Sequence, residues 1–256
     1  MSLPHINLFP IERNQTKCAE CSIRRLALFN GVSLEELEWT QHYRSNQFNI
    51  KARKDVYFEK ELTDYLFTVY HGWFALYKTL NNGKRQILRI ALPGDLIGFQ
   101  GHIDGPMQHS AISLTDGVLC SFPRQKMREL FQRSIKVAHR LTEINSRDMA
   151  ICQNHLLGIG QQSAAERIAY LCLELFYRYK MIFKNGDDSA IPFPLSQEDI
   201  GDTVGLTKIH VNRTLKALRE QRLLEISHKT LRIHELEELH RISSFDPSVL
   251  TTHELY

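Results

Sequence analysis

Between Phe48 and Phe122 apolar and polar residues alternate in short runs broken by turn formers. Trp73-Phe74-Ala75-Leu76-Tyr77 leads to Asn81-Asn82-Gly83, and Gln86-Ile87-Leu88-Arg89-Ile90 resumes beyond it, which is a β-hairpin pattern. Pro93-Gly94-Asp95 marks a further turn, and Val118, Cys120 and Phe122 fall on one face of a strand. Several strands in so short a stretch predict a small antiparallel barrel or roll.

The period then changes. From Ser134 to Leu157 there is no Pro or Gly, and apolar residues recur at helical spacing. Val137, Leu141, Ile144 and Ile151 make one stripe; Met149, Cys152, Leu156 and Ile159 make a second. A helix of about 24 residues is about 36 Å long. Two apolar sides ask for two partners, its own roll and a second subunit, the alternative being a helix enclosed within one monomer. Gly158 and Gly160 are expected to end it. Ser163-Ala164-Ala165-Glu166 is a capping box for a further helix to about Lys180, and Asn185-Gly186-Asp187-Asp188 reads as a loop. The expected organisation is α+β: a tail at 1–17, a roll at 18–133, the long helix at 134–160, a C-terminal domain at 161–245 and a tail at 246–256.

In that last domain, Gln197 to Val204 suits a short helix with Ile200 and Val204 inward. Gly201 is small where two helices must approach, Gly205 supplies a turn with positive φ, and Thr207 can cap a second helix with Val211 and Leu215 inward. This is a helix-turn-helix plan. Leu223-Leu224-Glu225-Ile226 and Thr230-Leu231-Arg232-Ile233, joined across Ser227-His228-Lys229, add a hairpin, which makes the module a winged helix. The candidate contacts to double-stranded DNA are Ser196, Gln197, Thr207, Lys208, Ile209, His210, Asn212 and Arg213. Arg213 can donate twice to guanine, Asn212 can bond a base or a phosphate, and Thr207, Lys208 and the helix-start amides suit phosphate.

Charge supports this placement. The 256 residues carry a net charge of only +3, but Gly205–Arg232 holds seven Lys/Arg against two acids. Five cysteines at 18, 21, 120, 152 and 172 are no secreted disulfide framework and fit a reducing cytoplasm. Pro4, Pro10, Glu12 and Arg13 interrupt any signal-peptide core, and no apolar run is long enough for a membrane helix. No phosphate-cradling glycine loop, His-Glu-x-x-His or Gly-x-Ser-x-Gly motif supports an enzyme, a cysteine-based redox enzyme being the alternative class.

Taken together, Cys18-Ala19-Glu20-Cys21-Ser22-Ile23, Pro93-Gly94-Asp95-Leu96-Ile97-Gly98-Phe99, Val118-Leu119-Cys120, Ala165-Glu166-Arg167 and the second helix of the motif resemble the CRP/FNR family of bacterial regulators, its FNR/FixK branch most. The resemblance implies a cytoplasmic homodimer with a cyclic-nucleotide-binding-like jelly roll as sensor. It also implies a winged helix that reads a palindrome and RNA polymerase as partner, with activation expected and repression by promoter overlap allowed. Family members commonly carry a Glu on the recognition helix where Ile209 stands, which predicts a different base preference there.

The signal stays open. Cyclic-AMP binders of the family use a Gly-Glu-Leu-Gly turn and an Arg-Ser pair; Gly98-Phe99-Gln100-Gly101 and His109-Ser110 replace both here, and neither Phe99 nor His109 supplies the lost partner. For an iron–sulfur cluster Cys18, Cys21 and Cys120 match three ligand positions, but the fourth is Ala27, with Glu20 or an exogenous ligand as substitute. A thiol switch, simple packing of Cys21 and Cys120, and control by abundance without any effector are the other readings. Haem has no Cys-x-x-Cys-His or paired-histidine site to support it, and His71 and His109 read as ordinary residues. No cofactor is therefore assigned. Cys152 and Cys172 read as core.

Overall fold

The computed structural model describes residues 7–12, 15–33, 43–183 and 187–250. Asn185 and Gly186 of the expected loop, and the outer parts of both tails, lie outside the described residues. The chain divides into two compact units, Met1–Lys84 with Leu88–Ile144 and Arg85–Ile87 with Asn145–Tyr256.

The first unit is the roll. Its strands are β1 (Phe9–Pro10), β2 (Asn46–Ile50), β3 (Asp55–Tyr57), β4 (Tyr65–His71), β5 (Phe74–Thr79), β6 (Arg85–Ala91), β7 (Leu96–Ile97), β8 (Ser110–Ser113) and β9 (Gly117–Pro123). They form two sheets in the orders β1-β2-β9-β4-β7 and β3-β8-β5-β6. The predicted hairpin is β5 and β6, turned at Gly83 with φ +82°. Period-two alternation sends Phe48, Ile50, Phe67, Val69, Phe74 and Leu119 into one core around the fully buried Tyr57. Burying each such side chain contributes about 1.5–3 kcal/mol. The opposite parity of β4 and β9, namely Leu66, Cys120 and Phe122, faces a second cluster with Leu28 and Phe29. Helix α1 (Met127–Arg133) adds Met127 and Leu130 to it, and the start of α2 (Ile135–Gln161) adds Val137 and Leu141.

Four sequence expectations need correction here. The stretch read as an N-terminal tail contributes β1, which pairs Phe9 and Pro10 with Asn49 and Phe48, and it buries Leu8. A two-residue strand is too short to show a period. Helix α2 runs through Gly158 and Gly160 to Gln161, and the Gly158 carbonyl still accepts from Gln162 N–H at 3.0 Å. A helical glycine costs only about 1 kcal/mol, so the turn instead falls at Gln162–Ser163, where the next helix is capped. Cys152 is exposed rather than core, while Cys172 is buried as expected. The C-terminal stretch from 246 also holds a 3-10 turn, Pro247–Leu250, with Leu250 buried.

The second unit is built on α3 (Ala164–Ile182), which starts at the predicted capping box. Glu166 N–H donates to Ser163 Oγ at 3.4 Å, and Ser163 N–H donates to Glu166 Oε2 at 2.6 Å. Then follow β10 (Ala190–Pro192), α4 (Gln197–Val204), α5 (Lys208–Glu220), β11 (Leu224–Ser227), β12 (Thr230–Ile233) and α6 (Leu236–Ser243). β11 and β12 form the predicted hairpin, with His228 and Lys229 at positive φ in its two-residue turn, and β10 pairs with β12. No helix among the described residues is long and apolar enough to cross a membrane.

Candidate nucleic-acid interface and sensor cavity

Two caps and two glycines aim the helix-turn-helix. Ser196 Oγ accepts from Asp199 N–H at 3.1 Å, and Asp199 Oδ2 accepts from Ser196 N–H at 2.9 Å, so α4 begins where the sequence places it. Gly205 caps its end at φ +69°, and Leu206 N–H returns to the Gly201 carbonyl at 2.9 Å. Thr207 Oγ1 then accepts from His210 N–H at 3.3 Å and starts α5. Ile200, Val204 and Val211 are fully buried, and Leu215 is half-buried.

What this leaves outside is the predicted face. Ser196, Thr207, Lys208, Ile209, Asn212 and Arg213 are exposed, and Gln197 and His210 are half-buried. Ile209, at 81% exposure, is an apolar side chain with nothing folded over it. Lys208 and Arg213 have no acid partner among the described residues, whereas Lys216 pairs with Glu220 at 3.7 Å and Arg232 with Asp187 at 2.7 Å. Asn212 Nδ2 donates to Gln197 Oε1 at 3.3 Å, linking the outward sides of α4 and α5. The first two turns of α5 thus present two cations with no acid partner among the described residues, near the helix-start amides, a surface suited to anions.

Behind this module His155 of α2 and Arg178 of α3 converge on the buried Glu174, at 2.6 Å and 2.8 Å. Burial pushes the Glu174 carboxyl up, but His155 and Arg178 outweigh it and hold the net value below the ordinary one. Sequence reasoning missed this triad. The Glu174–Arg178 spacing of four was visible, but the third member lies a helix away.

In the roll, the three cysteines singled out from the sequence line one small cavity, of about 30 Å³, together with Ala27, Arg24 and Arg44. Cys18 and Cys120 are buried and Cys21 is half-buried. Gln47 Nε2 donates to Cys120 Sγ at 3.3 Å. Burial raises all three thiols, against the pull of Arg44 on each, and Cys120 reaches about 11, so they stand protonated at neutral pH.

The residues at the positions of the family's nucleotide grip are engaged within the chain. His109 Nε2 lies 2.9 Å from the hydroxyl of Tyr57, and burial, aided by Arg89 and Lys78, holds its pKa down to about 4. Gln100 donates to the carbonyls of Gly105 and Pro106 and accepts from Gln108 N–H, which stitches the following loop shut. A neutral imidazole already engaged by a tyrosine does not grip a phosphate.

The comparisons agree with this geometry. A cyclic nucleotide-binding domain model matches residues 47–134, and a Crp-like helix-turn-helix domain model matches residues 166–242. The nitrogen fixation regulation protein FixK of Rhizobium meliloti is 33% identical over 178 residues, covering 69% of this chain and 76% of that one. The chain belongs to the CRP/FNR family, in its FixK branch. A second CRP/FNR relative, FixK of Bradyrhizobium diazoefficiens, is 28% identical over 218 residues, 85% of this chain and 90% of its own. The solved structure of FixK2 from Bradyrhizobium japonicum superposes with a TM-score of 0.70 at 26% identity, covering 78% of this chain and 98% of that one. Like other CRP/FNR proteins, the chain is a DNA-binding transcription regulator that acts as a dimer.

A [4Fe–4S] cluster, the cofactor of CRP/FNR oxygen sensors, does not fit the residues present. The fourth ligand position is Ala27, buried and without a donor atom, and Glu20 is exposed and does not line the cavity. The donor set therefore stops at three protonated thiols, one short of what the cluster takes.

Proposed function

We propose that two copies of the chain join along the outer stripe of α2 and place their α5 helices in successive major grooves of a palindromic promoter site. The observation that carries this is the split of the two stripes. Val137, Leu141, Ile144 and Ile151 are buried, while Met149, Leu156 and Ile159 are 59%, 69% and 42% exposed. Positions 149, 152, 156 and 159 follow the three–four spacing of a coiled-coil seam. A two-fold axis along such a seam relates the two recognition helices and imposes half-sites about 34 Å apart.

In this reading Arg213 holds a guanine through O6 and N7, Ile209 touches a thymine methyl, and Asn212, His210 and Gln197 read or line the groove. Ser196, Thr207 and Lys208 take phosphates. The family's usual Glu at the Ile209 position would accept from cytosine, so the half-site keeps its guanine and changes its neighbour. The regulator works in the cytoplasm, catalyses nothing, and activates transcription by contacting RNA polymerase from its surface loops. The engaged, neutral His109 and the three-thiol cavity favour a signal other than cyclic AMP or a cluster.

Selection of bound sequences from random duplexes tests this. A two-fold symmetric consensus with one guanine per half is expected; a consensus without symmetry, or without that guanine, refutes the reading.

A further inference from the structure

Among the described residues the cysteine cavity is lined by two cations and no acid. Arg24 Nη1 is buried in its wall with no hydrogen-bond acceptor among the described residues. Among the described residues Arg44 donates to two neutral oxygens, the Thr16 carbonyl and Gln15 Oε1. No carboxylate among the described residues lines the space; the other polar groups described there are the Thr16 and Thr68 hydroxyls, the Gln47 amide and the three thiols. A buried guanidinium nitrogen without an acceptor is unfavourable, and the deficit disappears when an anion arrives.

The shape and polarity of the cavity narrow the choice. Ile23, Phe29 and Phe122 give it apolar walls. Such walls disfavour a strongly hydrated, multiply charged phosphate and suit a small, weakly hydrated monoanion. A guanidinium is planar and donates in a fork, which matches two oxygens of a planar acceptor. We infer that the cavity between Cys18, Cys120 and Arg24 is a binding site for a small planar oxyanion, a short carboxylate or its inorganic counterpart, seated on Arg24 and Arg44 with the thiols against its edge. This site is separate from the nucleotide position at His109 and does not depend on how α5 meets DNA.

The test uses the thiols as reporters. Reduced full-length protein is treated with iodoacetamide in acetate, in nitrate and in chloride at equal ionic strength, and alkylation of each cysteine is followed by mass spectrometry. Acetate or nitrate at twice its dissociation constant should slow Cys18 and Cys120 about threefold, the unoccupied third being the reactive one. Cys152, on the α2 seam and away from the cavity, should react at a rate that does not depend on the salt. Protection by acetate alone identifies a carboxylate site, and by nitrate alone an inorganic one. Arg24→Gln should abolish protection and Arg24→Lys should weaken it, with Cys152 reactivity and circular dichroism reporting the fold. Equal rates in all three salts for the wild-type protein overturn the inference without recourse to any variant, as does full protection retained in Arg24→Gln.

Discussion

A side chain at Gly201 would place its Cβ 2.4 Å from the carbonyl oxygen of Leu206. The obstacle is backbone, so it cannot swing aside, and α4 and the turn must move apart for any larger residue. Gly201→Ala should therefore destabilise the protein by about 1–3 kcal/mol, the usual range for overpacking. Chemical denaturation monitored by circular dichroism measures this, and DNA affinity should fall with it because the turn aims α5.

The two cations at the start of α5 should separate in kind. Arg213→Ala is expected to lose about 1–3 kcal/mol of binding and to relax preference at one base pair per half-site, whereas Lys208→Ala weakens every sequence alike and lowers the salt slope. Fluorescence anisotropy on a matched set of duplexes at several salt concentrations resolves them. A uniform loss for Arg213→Ala would reassign it to phosphate.

Glu174 links α2 to α3 through His155 and Arg178. Removing the carboxylate takes a 2.8 Å ion pair from Arg178, only 5% exposed, and the buried bond from His155, so Glu174→Ala should lose about 3–5 kcal/mol. The pH dependence has a definite sign. The folded-state pKa lies below the ordinary 4.5, so the contribution is complete above that value and is lost as pH falls through the lower folded one. The stability gap between wild type and Glu174→Gln should stay level near neutrality and close in acid, as urea titrations at a series of pH values would show.

Along the outer stripe of α2, Met149 and Leu156 lie two turns apart with their side chains largely exposed. Met149→Asp with Leu156→Asp should yield a folded monomer, because neither residue supports the core of its own chain. Sedimentation velocity reads the mass directly. A dimer that survives both changes would place the seam elsewhere.

Legibility in the sequence followed the range of the interactions. Both helices of the DNA-binding motif, their caps and the wing were readable because each is fixed within a few residues: Ser196 by Asp199, Thr207 by His210, and Gly205 by its own φ. The two stripes of α2 were readable as well, since period 3.6 is a local property. The endpoint of α2 was misread, because a glycine only weakens a helix and the cap at Ser163 decides where the turn falls. Cys152 was misassigned because an apolar face does not tell whether its cover comes from the same chain. The charged half of the cysteine cavity was invisible. Arg24 and Arg44 meet Cys120 only after β9 closes against the N-terminal segment, and their distances along the chain carry no period or motif.

The central claim is that two rigidly related copies of the Thr207–Arg213 face engage one duplex. Inserting about five base pairs, half a helical turn, between the half-sites of the selected palindrome rotates one of them to the far side of the DNA. Two protomers per duplex on the original site, with affinity falling toward the non-specific level on the expanded one, is the predicted result. Equal affinity on both duplexes, or one protomer on the intact palindrome, would contradict it.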